Sequence, residues 1–221
     1  MNAPVRLVLA SASPRRRELL ARAGLRFEIE PAGVDEDLAP GLEPLEAARR
    51  LAERKARAVA RRHSPPVLVL AADTLVALGP AVLGPRAGSY EYLRKPATEQ
   101  EAAGMLRSLS GSRHSVVTGL CVVRAADQAV FLDAERTWVT MRVLGAREIE
   151  DYVASGEWRD KAGGYAIQES ADRFVTALEG GGFDNVVGLP VERALALLRA
   201  AGAPPDCVPP RARLAGESRA S

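Results

Sequence analysis

The chain has 221 residues, 47% of them hydrophobic and 26% charged, with a formal net charge of +2, a globular composition long enough for one large domain or two small ones. That balance gives no support to general nucleic-acid binding, and neither a run of about 18 apolar residues nor a charged-then-apolar leader is present, so no membrane partner and a cytoplasmic location are expected. The two cysteines, Cys121 and Cys207, lack CxxC spacing and read as plain thiols rather than a disulfide or zinc framework.

Residues 5–10 form a short apolar run of the kind that makes a buried strand. Ser13-Pro14 then supplies a helix N-cap and a proline at the first helical position, and Gly24 a stop. Arg15, Arg16 and Arg17 stand in the first turn, where the helix dipole favours anions and acidic side chains are usual. The arginines oppose the dipole at a cost of up to about 1 kcal/mol each. They are either a solvated basic helix start or half of a phosphate site.

Residues 25–30 alternate as a half-buried strand would. Asp35-Glu36-Asp37 after Gly33 is a solvated turn or a source of carboxylates for a divalent cation that completes its shell with substrate phosphates. Residues 44–63 read as an amphipathic helix with Leu45, Ala48, Leu51, Ala52, Ala58 and Val59 on its apolar stripe. Lys55 shares the face of Leu51 and Val59, so it either snorkels to the core edge or points its ammonium into a site.

Residues 67–72 are apolar throughout, as in a central strand buried on both faces, and end in Asp73-Thr74. A carboxylate at the carboxyl end of such a strand sits where open α/β sheets bind ligands, which makes Asp73 the first choice for a catalytic or metal-binding acid over a turn cap. Residues 78–92 are rich in glycine and proline and read as a mobile loop, and no GxxxxGK[ST] phosphate loop occurs anywhere. After Lys95-Pro96, Thr98 and Glu101 form a capping box for a helix over residues 98–110 that stops at Gly111.

Residues 114–124 and 129–143 read as a hairpin of long antiparallel strands, with His114 in a structural role. A short helix over residues 146–154 ends at Gly156. The segment DKAGGYAIQ, residues 160–168, leads a glycine-bearing loop into an apolar strand start; its glycines either allow close backbone approach to a ligand, with Gln168 offering donor and acceptor to a base edge, or form an ordinary turn. A further strand over 173–178, a turn at 180–182 and a helix over 190–201 complete a domain spanning residues 1–203. The proline-, arginine- and serine-rich residues 204–221 are expected to be a disordered tail. The architecture expected is α/β with a mixed sheet flanked by helices.

Arginines at a helix start, two lysines able to point inward and several carboxylates suit a polyphosphate bound through a divalent cation. With no phosphate loop, metal-assisted hydrolysis of a nucleotide is favoured over kinase-like chemistry. LASASPRRRELL at residues 9–20, VDE at 34–36, LAERKA at 51–56 and AADT at 71–74 resemble the Maf family of nucleoside triphosphate pyrophosphatases. KPAT at 95–98, MLRSLSGSRHSVVTG at 105–119, DKAGGYAIQ at 160–168 and NVVGLP at 185–190 extend the resemblance in the family's order. Residues 78–94 are longer than the usual family connection, and the tail after Ala201 has no recognised counterpart.

The resemblance implies a twisted sheet with an active-site cleft between two lobes. It also implies a cytoplasmic homodimer that cleaves a nucleoside triphosphate between its α and β phosphates with Mg or Mn. Asp73 matches the family's proposed general base, and Ser11, Ser13, Arg15, Arg16, Glu36, Lys55, Lys95 and Gln168 match other active-site positions. Glu36 and Asp73 are the implied metal ligands, Lys55 and Lys95 the catalytic cations. Arg15, Thr74 and Gln168 match the positions that separate a dTTP and UTP branch from a 7-methyl-GTP branch, and all three resemble the former. Alternatives are a house-cleaning activity on other non-standard nucleotides and a regulatory role in septum formation.

Overall fold

The computed structural model describes residues 4–38, 41–79, 90–204 and 207–208. Its core is a seven-stranded mixed sheet in the order β2-β1-β3-β5-β6-β7, with β4 also on β3. Strand β1 (Arg6–Leu9) runs parallel to β2 (Glu28–Ile29) and to β3 (Val67–Leu78). The pairs β3 with β4 (Glu91–Leu93), β3 with β5 (Arg113–Arg124), β5 with β6 (Ala129–Met141) and β6 with β7 (Val175–Glu179) are antiparallel.

Strand β3 is twice the length the apolar run suggests. It pairs with β1 from Val67 to Leu70, and antiparallel pairing with β5 then carries it on to Ala77. Asp73 and Thr74 therefore lie mid-strand rather than at a strand end. On the β1 side, β4 takes up pairing only from Val76. Among the described residues no strand covers 71–75 on that edge, and this gap in the sheet is where the cleft opens.

Helix α1 (Pro14–Arg22) starts as its cap chemistry dictates: Ser13 accepts from the Arg16 amide, and Leu20 is fully buried. Helix α2 (Pro44–Ala60) lays Ala48, Leu51, Ala52 and Val59 on the sheet. Its backbone comes close to β5 at Gly119, the register partner of Asp73. A Cβ at Gly119 would fall 2.2 Å from the Ala48 carbonyl carbon and oxygen, so only glycine admits the helix backbone there. Helices α3 (Glu99–Leu109) and α4 (Ala146–Ser155) pack with Trp158 and Phe174 into one hydrophobic cluster. Helices α1 and α6 (Val191–Ala200) cover another on the opposite side of the cleft.

The expected strand over residues 25–30 shortens to Glu28–Ile29, because β1 offers it only Val8 and Leu9 as partners, and both residues are exposed. The apolar segment after Gly164 is not a strand. A 3₁₀ turn over Ala162–Gly164, with Gly163 and Gly164 at φ +72° and +70°, folds it inward so that Tyr165 and Ile167 are buried without sheet pairing. Helix α5 (Phe183–Val187), too short for a periodic signal, fills the stretch after the glycine turn. Ten residues of the expected loop, 80–89, lie outside the described residues, as do 205–206 and 209–221 of the tail. Within that tail Val208 is buried against the cluster that contains Leu7 and Leu198, and the Cys207 thiol donates to the Val5 carbonyl.

Candidate active site

A cleft of about 760 Å³ opens at the gap in the sheet. The α1 start lines one wall with Ser11, Ser13, Arg15 and Arg16, while β3 supplies Asp73 and Thr74. Glu36 and Lys55 close one side, and Lys95 and Gln168 face them from the other lobe. All ten side chains that the sequence singled out thus border one cavity. Of the three consecutive carboxylates only Glu36 lines it: Asp35 accepts from the Asp37 amide, and Asp37 pairs with Arg94.

Successive residues on a strand point to opposite faces, and β3 uses this to divide the chemistry. Asp73 shares its face with Val69 and Ala71, beneath α2. There the Lys55 ammonium donates to Asp73 and, at 2.6 Å, to Glu36 Oε1. Lys55 therefore points into the site rather than snorkelling, with 12% of its side chain exposed. Burial pushes the Glu36 carboxyl up, but the Lys55 hydrogen bond and the charges of Lys55, Lys95 and Arg16 outweigh it and hold the group below the usual carboxylate value.

Thr74 points the other way, toward α1 and α5. Arg16 Nη2 donates to its hydroxyl at 3.0 Å, Nε to the Gly188 carbonyl at 2.8 Å and Nη1 to the Ser11 hydroxyl at 3.2 Å. Burial lowers the Arg16 pKa from its usual value against the opposing charges of Asp73 and Glu36. Arg16 is thus held chiefly by protein groups, although a guanidinium has five N–H donors and keeps others for a phosphate. Arg15 reaches across the cleft, donating from Nη2 to the Asp160 carbonyl at 3.2 Å. Arg17 is exposed, in keeping with solvation.

The loop that carries Gln168 is pinned from beneath. His114 Nε2 is 2.8 Å from the Tyr165 hydroxyl, and the Ala166 amide donates to the Tyr152 hydroxyl. Lys161, buried at the cleft edge, donates to the Glu157 carbonyl and pairs with Glu169 at 3.4 Å. Gln168 itself is exposed, its amide 3.4 Å from Glu169. Thr118, Asn185, Gly188 and Asp160, which support this site, lie inside the matched motifs, but nothing in the sequence singles out their roles. Gly188 and Asp160 act through their backbone carbonyls, as Asn185 does toward Thr118, and carbonyls leave no residue-type signal.

The residues fit a hard divalent cation that shares its shell with substrate. Lys55 uses one oxygen each of Glu36 and Asp73, leaving each carboxylate a second one. Among the described residues no three His, Cys, Asp or Glu converge to hold a metal by themselves. Two carboxylates completed by phosphates and water is the usual arrangement for magnesium.

Residues 6–201 match the family model described as Maf-like protein. The chain belongs to the Maf-like family. Among the Maf-like relatives, a protein of Anaeromyxobacter dehalogenans named dTTP/UTP pyrophosphatase is 51% identical over 201 residues, covering 90% of this chain and 95% of that protein. Proteins of the same name from Pelotomaculum thermopropionicum and Deinococcus radiodurans are 47% and 44% identical, over 89% of this chain and 96% and 93% of their own lengths. A solved nucleoside-triphosphatase of Mycobacterium abscessus shares 16% identity at a TM-score of 0.39, over 62% of this chain and 74% of that one. No helix among the described residues of the Maf-like chain is long and apolar enough to cross a membrane.

Proposed function

We propose that this Maf-like chain hydrolyses dTTP and UTP, with modified pyrimidine triphosphates in the same class, to the nucleoside monophosphate and pyrophosphate, in the cytoplasm and as a homodimer. The observation that supports this reading best is the composition of the cleft. Six cationic residues line it, Arg15, Arg16, Lys55, Arg94, Lys95 and Lys161, against three acidic ones, Glu36, Asp73 and Asp160. Relatives that are 44–51% identical and carry the name dTTP/UTP pyrophosphatase support the substrate class.

In this reading Asp73 takes a proton from a water whose oxygen forms a bond to the α-phosphorus. The bond from that phosphorus to the bridging oxygen breaks, and pyrophosphate departs. Lys55 orients Asp73 through their hydrogen bond. Arg15, Arg16, Lys55 and Lys95 offset the phosphate charge, and preorganised charge of this kind is commonly worth a factor of about 100 or more in rate per contact. A divalent cation, Mg or Mn, held by Glu36 and Asp73, would add Lewis-acid charge on the phosphate oxygens. Arg15, Thr74 and Gln168 border the same cavity and are the groups assigned to substrate selection.

Initial rates of pyrophosphate release from dTTP, UTP, 5-methyl-UTP, 7-methyl-GTP and ITP, with Mg or Mn, test the proposal. Fastest turnover is expected on the pyrimidine triphosphates. A marked preference for 7-methyl-GTP overturns the substrate assignment, and no release from any of the five overturns the enzymatic reading.

A further inference from the structure

Arg16 is tied to Thr74, and Thr74 is tied in turn to a residue outside the cleft. Its hydroxyl lies 2.9 Å from that of Thr118, its register partner on β5. Thr118 is fully buried, and its hydroxyl is 3.0 Å from the backbone carbonyl of Asn185 in α5. Asn185 has no exposure either, and its side-chain amide donates to the Thr137 hydroxyl at 2.8 Å and to the Val116 carbonyl at 3.2 Å.

Proton counting gives this chain a direction. A carbonyl can only accept, so the single Thr118 proton is committed to Asn185. That carbonyl lies in the last turn of a five-residue helix, where the helix itself supplies no partner. With its own proton spent, Thr118 can only accept from Thr74. The other acceptor open to Thr74 is the Gly188 carbonyl, at 3.4 Å and already engaged by Arg16 Nε at 2.8 Å. With its proton sent to Thr118, Thr74 turns its lone pairs to Arg16 Nη2.

We infer that Thr118 is a positioning residue for the nucleotide-binding arginine: it sets the direction of the Thr74 hydroxyl and so fixes the plane in which Arg16 meets the phosphates. The inference rests on the pyrophosphatase reading above. It makes Thr74 an acceptor held for Arg16, with no proton to offer a substrate. It also ties α5, on the opposite face of the sheet from α2, to the aim of a side chain on α1.

Thr118→Val, which keeps the shape and removes the hydroxyl, tests this. The Thr74 proton would then turn to Gly188 and compete with Arg16 Nε for that carbonyl. On dTTP, kcat is expected to fall roughly 10- to 100-fold, the scale of a misplaced catalytic contact, while KM changes less. Thr118→Ser should recover kcat to within about twofold of wild type, because the tie needs only the hydroxyl. In a Thr74→Val background, Thr118→Val should add no further loss, since residues acting through one network are not additive. A Thr118→Val protein with lowered thermal stability and wild-type kinetics overturns the inference, as does a full additional loss in the double variant. If Thr118→Val does not fold, Thr118→Ala, which also removes the hydroxyl, carries the same comparison against Thr118→Ser. Wild-type protein that releases no pyrophosphate from dTTP or UTP refutes the pyrophosphatase reading, whereas active wild type with an unaffected Thr118→Val refutes only the role of Thr118.

Discussion

Lys55, two-thirds of the way along α2, forms an ion pair with Asp73 in the middle of β3, and only 12% and 7% of the two side chains are exposed. Removing one partner leaves a nearly buried charge unpaired, which typically costs about 3–5 kcal/mol. Lys55→Met should lower the urea midpoint and cut dTTP turnover by about 100-fold or more. Asp73→Asn keeps the shape and a hydrogen-bonding oxygen. It should fold, as judged by circular dichroism, yet lose turnover to a similar degree, and normal metal-dependent hydrolysis by the folded variant would sink the role given to Asp73.

Gly119→Ala should be among the most damaging single-methyl changes in the chain. The added carbon meets the Ala48 backbone, which cannot rotate away as a side chain can. Overpacking of this kind costs about 1–3 kcal/mol, and more where backbone must move. Because α2 carries Lys55, any shift of the helix withdraws that ammonium from Asp73. Denaturant melts and dTTP kinetics should decline together, and a stable, fully active variant would show that α2 can be displaced freely.

His114 gives the fold a pH dependence of known sign. Burial pushes its pKa down from 6.5 to about 4, so between these values the unfolded chain binds a proton that the folded chain refuses. The unfolding free energy therefore rises with pH across that window. The contribution is fully present above pH 6.5 and is lost as the pH falls to about 4, a total of about 3 kcal/mol. His114→Asn should flatten this part of the stability profile, and an unchanged slope in urea titrations between pH 4 and 6.5 would contradict the assignment.

Arg15 reaches from the α1 start to the Asp160 carbonyl in the loop that carries Gln168. Arg15→Ala should raise KM for dTTP or lower turnover, and it should narrow the preference for dTTP over 7-methyl-GTP. Thermal stability should change little, because the arginine is partly exposed. Identical kinetics would return this side chain to the status of a solvated helix start.

Much of the site was legible because its residues contradict their local setting. Arginines at a helix N-terminus and a lysine on an apolar helix face are both unfavourable unless something anionic meets them. Glu36 and Asp73 meet Lys55, and Asp73 and Glu36 face Arg16. What stayed hidden depends on long-range pairing. The extension of β3 past Ala72 is imposed by β5, some 45 residues away, and no property of residues 73–78 announces it. The inward fold of Tyr165 and Ile167 arises from two left-handed glycines and buried tyrosine hydroxyls, while their apolar pattern reads equally well as a strand. Thr118 gave no signal because a threonine in a β-rich run is what any strand would contain.

The gap in the sheet between β1 and β4 has a mechanical consequence. Strand β3 runs unbroken past the opening, with β5 laddered to it along nearly its whole length, so the floor of the cavity is a double beam anchored in both lobes. Asp73, near the middle of β3, therefore stands on a continuously paired stretch of the sheet, whereas Arg15, Arg16 and Lys95 reach the cavity from its flanks.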